Sequence, residues 1–144
     1  MLTAERIAQT LGGRRVLKVK VPTFDQLRAR LRTGLPYASL EAVASGFQIT
    51  QHDIVTLLRL PPRTLARRKK ERRLRADESD RLFRLGRIAA LAEEVLGRRE
   101  KATNWLHQPN RALGHQIPLR QLDTDLGARQ VEDLLLRIAH GVYS

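Results

Sequence analysis

Between Arg59 and Arg75 the chain reads RLPPRTLARRKKERRLR, nine Arg and Lys side chains against one acid, Glu71. Cations at this density on a helix bind phosphates, and the usual partner is a nucleic acid. Other chemistry is poorly provided for. Cysteine is absent, which excludes disulfides, thiolate metal sites and cysteine nucleophiles. The four histidines, His52, His107, His115 and His140, fall at no metal-like spacing. The acid pairs Glu93/Glu94 and Glu132/Asp133 are sequence neighbours that diverge on a helix, so they read as surface charge rather than as a general acid and base. Gly12 and Gly13 lack the continuation of a nucleotide-binding loop. No enzymatic activity, metal or cofactor is expected.

The basic stretch also dominates the charge balance. Of the net +12, residues 1–58 carry +4 and Arg59 to Arg75 +8, while residues 76–144 hold ten charges of each sign and sum to zero. A chain charged evenly for solubility would not divide this way; a two-part protein, with one part on a polyanion and the other on a neutral surface, would. With 42% hydrophobic residues and six aromatic side chains, 144 residues can build a modest aliphatic core. No apolar run approaches the roughly 20 residues of a membrane span, and no secretory-type apolar stretch opens the chain, so a cytoplasmic location without membrane contact is expected.

Helical spacing dominates, and the fold class expected is all-α. Thr3 is placed to cap a helix with Ile7, Ala8 and Leu11 inward, ended by Gly12 and Gly13, before a basic extended piece from Arg14 to Val21. Thr23 with Gln26 signals a helix carrying Phe24, Leu27 and Leu31 inward and ending at Gly34. After Pro36 another helix carries Leu40, Val43 and Ala44, with Gly46 at a left-handed C-cap and Phe47 and Ile49 beneath it. Thr50 and Asp53 open a two-turn helix burying Ile54, Leu57 and Leu58; Leu60 and Pro61 make a turn, and Pro62 begins the next helix. This is helix, tight turn, helix, and through Arg73 the second helix holds only Leu65 and Ala66 as apolar anchors.

Arg63, Thr64, Arg67, Arg68 and Lys70 fall in the first turns of that second helix, the part of a recognition helix that enters the major groove. Arg72, with Arg73 and Arg75, lies late enough to favour backbone phosphates. Beyond it, a long helix from Asp77 or Ser79 to Gly97 carries a wide apolar face from Leu82 to Val95. A short helix holds Trp105, Leu119 and Leu122 form a brief turn, and Thr124 with Asp125 caps a last helix bearing Val131, Leu134, Leu135 and Ile138, stopped by Gly141.

The strings DESDRLFRLGRIAALAEEVLG, NWL, PNRALG and IPLRQLDTDLGARQVEDLLLRIAHGVYS, in that order, resemble the C-terminal domain of the Xre/MbcA/ParS-type bacterial antitoxins. The preceding RTLARRKKERRL resembles their Xre helix-turn-helix, and the likeness covers Thr23 to Ser144. The resemblance implies an antitoxin of a type II toxin-antitoxin system, homodimeric, partnered with a RES-domain toxin that consumes NAD and repressing their shared promoter through operator DNA. It also implies that the C-terminal end reaches over the toxin's active site, which assigns toxin contact to Arg137, His140, Val142, Tyr143 and Ser144. Inhibition would then be steric. The division expected is residues 1–22 as an N-terminal extension with no counterpart in the family, 23–76 as the helix-turn-helix domain and 77–144 as the toxin-binding domain. A stand-alone helix-turn-helix regulator without a toxin would use the same basic helix.

Overall fold

Four helices begin where a threonine hydroxyl accepts a backbone N–H: Thr3 from Arg6 (3.1 Å), Thr23 from Gln26 (3.1 Å), Thr50 from Asp53 (3.1 Å) and Thr124 from Gly127 (3.0 Å). Each satisfies a donor that the helix cannot, an effect of about 1 kcal/mol per cap. The computed structural model describes residues 2–141. In chain order the helices are α1 (Ala4–Thr10), α2 (Gly13–Leu17), α3 (Phe24–Thr33), α4 (Tyr37–Gly46), α5 (Gln51–Leu58), α6 (Pro62–Glu71), α7 (Ala76–Leu96), α8 (Arg99–His107) and α9 (Asp125–Ala139). Short 3-10 turns lie at Arg111–Leu113 and Pro118–Asp123. The fold is all-α: extended pairing among the described residues is limited to the isolated bridges Pro36–Arg73 and Asn110–Gln116.

The helix α7 is the spine. Leu82, Leu85, Ile88, Ala89, Leu91 and Ala92 are all buried, because α1, α3 and α5 pack on part of its surface and α8 and α9 on the rest. Apolar burial of this kind is worth about 1.5–3 kcal/mol per large side chain. The cut expected between residues 76 and 77 falls at the start of α7, and both halves of the chain bury their apolar faces against that one helix. Its arginines reinforce the join: Arg81 donates to the Leu58 carbonyl at the end of α5 (3.1 Å), Arg84 to the Leu122 carbonyl (3.3 Å), and Arg87 pairs with Glu132 on α9.

The N-terminal segment departs most from expectation. The segment set apart as an N-terminal extension packs into the core with Ala4, Ile7, Ala8, Leu11, Leu17 and Val19. Nor is Arg14 to Val21 extended, since Gly13–Leu17 forms α2 and Lys18 closes it with a left-handed φ of 56°. The physical reason lies at Gly12 and Gly13, whose φ of 109° and 85° turn the chain back so that Leu17 can reach the layer α1 already occupies. On the other side Gly86 of α7 makes room: a Cβ there would lie 2.9 Å from Leu11 Cδ2.

Two smaller corrections follow. Phe24 shares a stripe with Leu27 and Leu31 but stands at the first helical position, where no neighbouring element covers it, and it is 56% exposed. Gly46 stays helical, and the left-handed residue is Gln48 (φ 54°), placed between the Phe47 N–H bonded to the Val43 carbonyl (3.1 Å) and the Ile49 N–H bonded to the Ala44 carbonyl (2.8 Å).

Candidate functional site

The α5–turn–α6 unit is built from local signals. Arg59 ends α5 with a left-handed φ of 54°, Leu60 is buried and returns its N–H to the Val55 carbonyl (3.1 Å), and Pro61 supplies the extended residue before Pro62 opens α6. Proline suits that first position because its missing N–H would have no helical partner. The helix α6 docks through Leu65 and Arg68, its two buried residues, while Ala66, named with Leu65 as an anchor, is exposed. Arg63, Arg67 and Lys70, at i, i+4 and i+7, share the opposite, exposed face, with Thr64 half-buried beside them. A cationic face on a helix held out by so few anchors is suited to a groove lined by phosphates.

Arg68 does not belong to that face. It is 3% exposed, and its guanidinium meets Glu78 of α7 side-on: Nε to Oε1 at 2.7 Å and Nη2 to Oε2 at 2.9 Å, with Nη1 reaching Glu71 at 3.3 Å. Glu78 is equally buried and also accepts the Arg75 N–H (2.8 Å), which caps α7. This placement corrects the expectation that Arg68 contacts DNA. In a helix with so few apolar residues, the pair takes the role a hydrophobic anchor would otherwise have.

Burial pushes the Glu78 carboxyl up, but the hydrogen bonds from Arg68 and from the Arg75 N–H outweigh it and hold it below the usual carboxylate range. The hydrogen bond to Glu78 raises Arg68 further above its already high value. A depressed folded-state carboxyl stabilises at pH values above its unfolded value, and that stability is lost as pH falls through the folded one. Denaturant unfolding followed from about pH 6 to pH 2 should therefore show an acid-side fall in stability that is shallower in Glu78→Gln.

The later cations of the stretch are partly engaged. Arg72 closes α6 with a left-handed φ of 64°, and its carbonyl accepts the Tyr37 N–H (3.0 Å). Arg73 donates to the carbonyls of Thr33 and Gly34 at the end of α3 (3.3 and 3.4 Å). The crossing of these two segments is tight enough to require Gly34, at φ 100°, because a Cβ would lie 2.1 Å from the Leu74 carbonyl oxygen. Leu35 receives the Leu74 N–H on its carbonyl (2.9 Å) and gives its own N–H to the buried Ser79 hydroxyl (2.7 Å), so the end of α6 is tied to the start of α7.

At the opposite end of the chain, Arg137 and His140 are exposed on the last turn and cap of α9, while Val142, Tyr143 and Ser144 lie outside the described residues. Sequence reasoning missed Leu126 and Leu136, 69% and 40% exposed, which share the outward face of α9 with Arg129, Asp133, Arg137 and His140. A signal was present: Leu134, Leu135 and Leu136 span 200° of a helix and cannot all face one core. Among the described residues no group of three or more His, Asp or Glu is arranged to hold a metal ion, and no helix is long and apolar enough to cross a membrane.

A helix-turn-helix whose second helix carries an exposed cationic face, joined through α7 to a smaller helical unit with outward leucines, defines a DNA-binding protein with a second interaction surface. Comparison with known proteins agrees. Residues 26–87 match the antitoxin Xre-like helix-turn-helix domain, and residues 91–141 match the antitoxin Xre/MbcA/ParS C-terminal toxin-binding domain. The chain is 35% identical over 136 residues to an antitoxin Xre of Pseudomonas putida, covering 82% of this chain and 86% of that protein. It is 33% identical over 120 residues to an antitoxin Xre of Photorhabdus laumondii (82% and 81% covered) and 31% over 116 residues to one of Yersinia enterocolitica (79% and 78%). The chain belongs to the Xre antitoxin family, whose members pair DNA binding with toxin binding and are not enzymes.

Proposed function

We propose that this antitoxin neutralises a RES-domain, NAD-degrading toxin sterically, through the outward face and C-terminal end of α9, and represses its own operon by seating α6 in the major groove of operator DNA. It acts in the cytoplasm as a homodimer, which would place two copies of α6 on an inverted repeat. The observation that carries the DNA half is the segregation on α6, with Arg63, Arg67 and Lys70 outward and Leu65 and Arg68 inward. Arg63, Arg67 and Lys70 are then the candidates for base edges and near phosphates, Thr64 flanks them, and Arg72 contacts the backbone.

For the toxin half, support comes from the toxin-binding domain match over α9 and from the exposed Leu126 and Leu136, which a stand-alone regulator would leave without a partner. The identity of the toxin rests on the family resemblance. Arg137, His140, Val142, Tyr143 and Ser144 are assigned to its active-site rim, an assignment that needs only bulk at a cleft mouth.

The test of the DNA half is Arg63→Ala with Arg67→Ala. Operator affinity should fall by at least tenfold, about 1.4 kcal/mol or more, with thermal stability and toxin protection unchanged. Undiminished operator binding in that double variant would remove α6 as the reading helix.

A further inference from the structure

A groove of about 410 Å³ lies where α2, the end of α3 and the end of α6 meet, and Lys18, Arg30, Arg72 and Arg73 line it against one carboxylate, Glu71. Glu71 is already shared with Arg68 (3.3 Å), and no carboxylate among the described residues pairs with any of the four cations. Building upon the DNA-binding reading above, on which this inference rests, we propose that the groove is a second phosphate site, taking the sugar–phosphate backbone of the operator duplex just outside the major-groove contacts of α6.

Three observations support it. Two of the cations are held in place. Arg30 donates from Nε to the Leu17 carbonyl (2.9 Å) and from Nη2 to the Lys18 carbonyl (2.8 Å), and Arg73 donates from Nη1 to the carbonyls of Thr33 and Gly34. Their guanidinium charge remains unneutralised, so a phosphate would meet donors that need little further ordering.

Second, Lys18 and Arg72 both take left-handed backbone conformations, φ 56° and 64°, where glycine is the easier residue. A cation at a helix C-terminus is mildly favoured by the dipole, but it could stand anywhere in the last turn without strain. The carbonyls ending α2 and α3 are, moreover, already bonded by Arg30 and Arg73. Both side chains line the groove from positions that close α2 and α6.

Third, the position fits the geometry of a bound duplex. Arg72 both closes α6 and lines the groove, so the groove adjoins the C-terminal end of the helix proposed to lie on the duplex. Lys18 comes from the N-terminal segment, ahead of the stretch matched by the helix-turn-helix family model, which begins at residue 26. The segment would thereby extend the footprint on DNA while α1 and α2 serve the core.

The experiment uses the full chain and the promoter DNA upstream of its own gene, with affinity measured as a function of salt. Lys18→Gly removes the charge and relieves the left-handed backbone, and Lys18→Asn is a second variant that tolerates that conformation. Neither should lower the melting temperature, and each should weaken binding several-fold near 0.1 M salt and lower the log–log salt slope by about 0.9 per bound chain, whereas Lys18→Arg should keep the slope. Shortening the duplex to the α6 contacts should abolish the difference between Lys18→Gly and wild type. Unchanged slope and affinity in Lys18→Gly and Lys18→Asn, with wild-type binding intact, would overturn the groove and leave the α6 reading standing. A wild-type chain that binds no promoter DNA, or that prefers RNA, would overturn both.

Discussion

Replacing Arg68 with alanine is expected to cost the folded chain about 3–5 kcal/mol, because it strands the Glu78 carboxylate in a site it cannot leave. The same change one residue earlier, Arg67→Ala, removes an exposed cation and should move stability by less than about 1 kcal/mol. Two adjacent arginines in the sequence RR thus separate into one that anchors the fold and one left exposed for the proposed DNA contact. Against a typical stability of about 5–15 kcal/mol, the first change removes a large share. Glu78→Ala should be comparably harmful, since it also uncaps α7 by freeing the Arg75 N–H. Arg68→Met combined with Glu78→Leu should recover much of the loss, as buried ion pairs often exchange for apolar side chains at little cost. Denaturant titrations of the four variants at neutral pH decide the matter. Near-wild-type stability in Arg68→Ala would mean that the pair does not anchor α6.

The second large effect is expected at the other end of the chain. A protein ending at Leu136 should bind promoter DNA with unchanged affinity and lose toxin affinity by at least a hundredfold, about 2.7 kcal/mol. Of the described residues removed, Ile138 is half-buried, and Arg137, Ala139, His140 and Gly141 are exposed. A milder cut after Gly141 separates the terminal Val142, Tyr143 and Ser144 from the last helical turn. If toxin affinity survived both cuts, contact would shift to the outward face of α9, where Leu126→Asp would be the next probe.

The local features of this fold are legible in the chain because they depend on neighbours in sequence. Thr3, Thr23, Thr50 and Thr124 each cap as their spacing suggests, and Leu60-Pro61-Pro62 makes the turn between α5 and α6 because each proline restricts the residue before it. What escaped detection depends on partners far away. The inward turn of Arg68 is determined by Glu78, across the α6–α7 connection, and charge counting cannot tell which cation of a basic helix faces inward. The inward face of the first helix is readable, but its partner is not: Leu11 lies close to Gly86, 75 residues on. The exposed cationic face was otherwise readable: Arg63, Arg67 and Lys70 do share one exposed side. On α9 the inward leucines were recognised and the outward Leu126 and Leu136 were not, since a periodic pattern draws attention to the core it builds.

In the function proposed above, a single chain presents two separable surfaces, one on α6 for operator DNA and one at the end of α9 for a toxin. The most direct measurement is growth, with cellular NAD followed in parallel, of bacteria expressing the proposed partner toxin together with the chain through Ser144 or the chain ending at Leu136. The chain through Ser144 should sustain growth and NAD, and the shortened one should allow both to collapse while still repressing the promoter. Equal protection by the two forms would contradict the assignment of toxin contact to the end of α9.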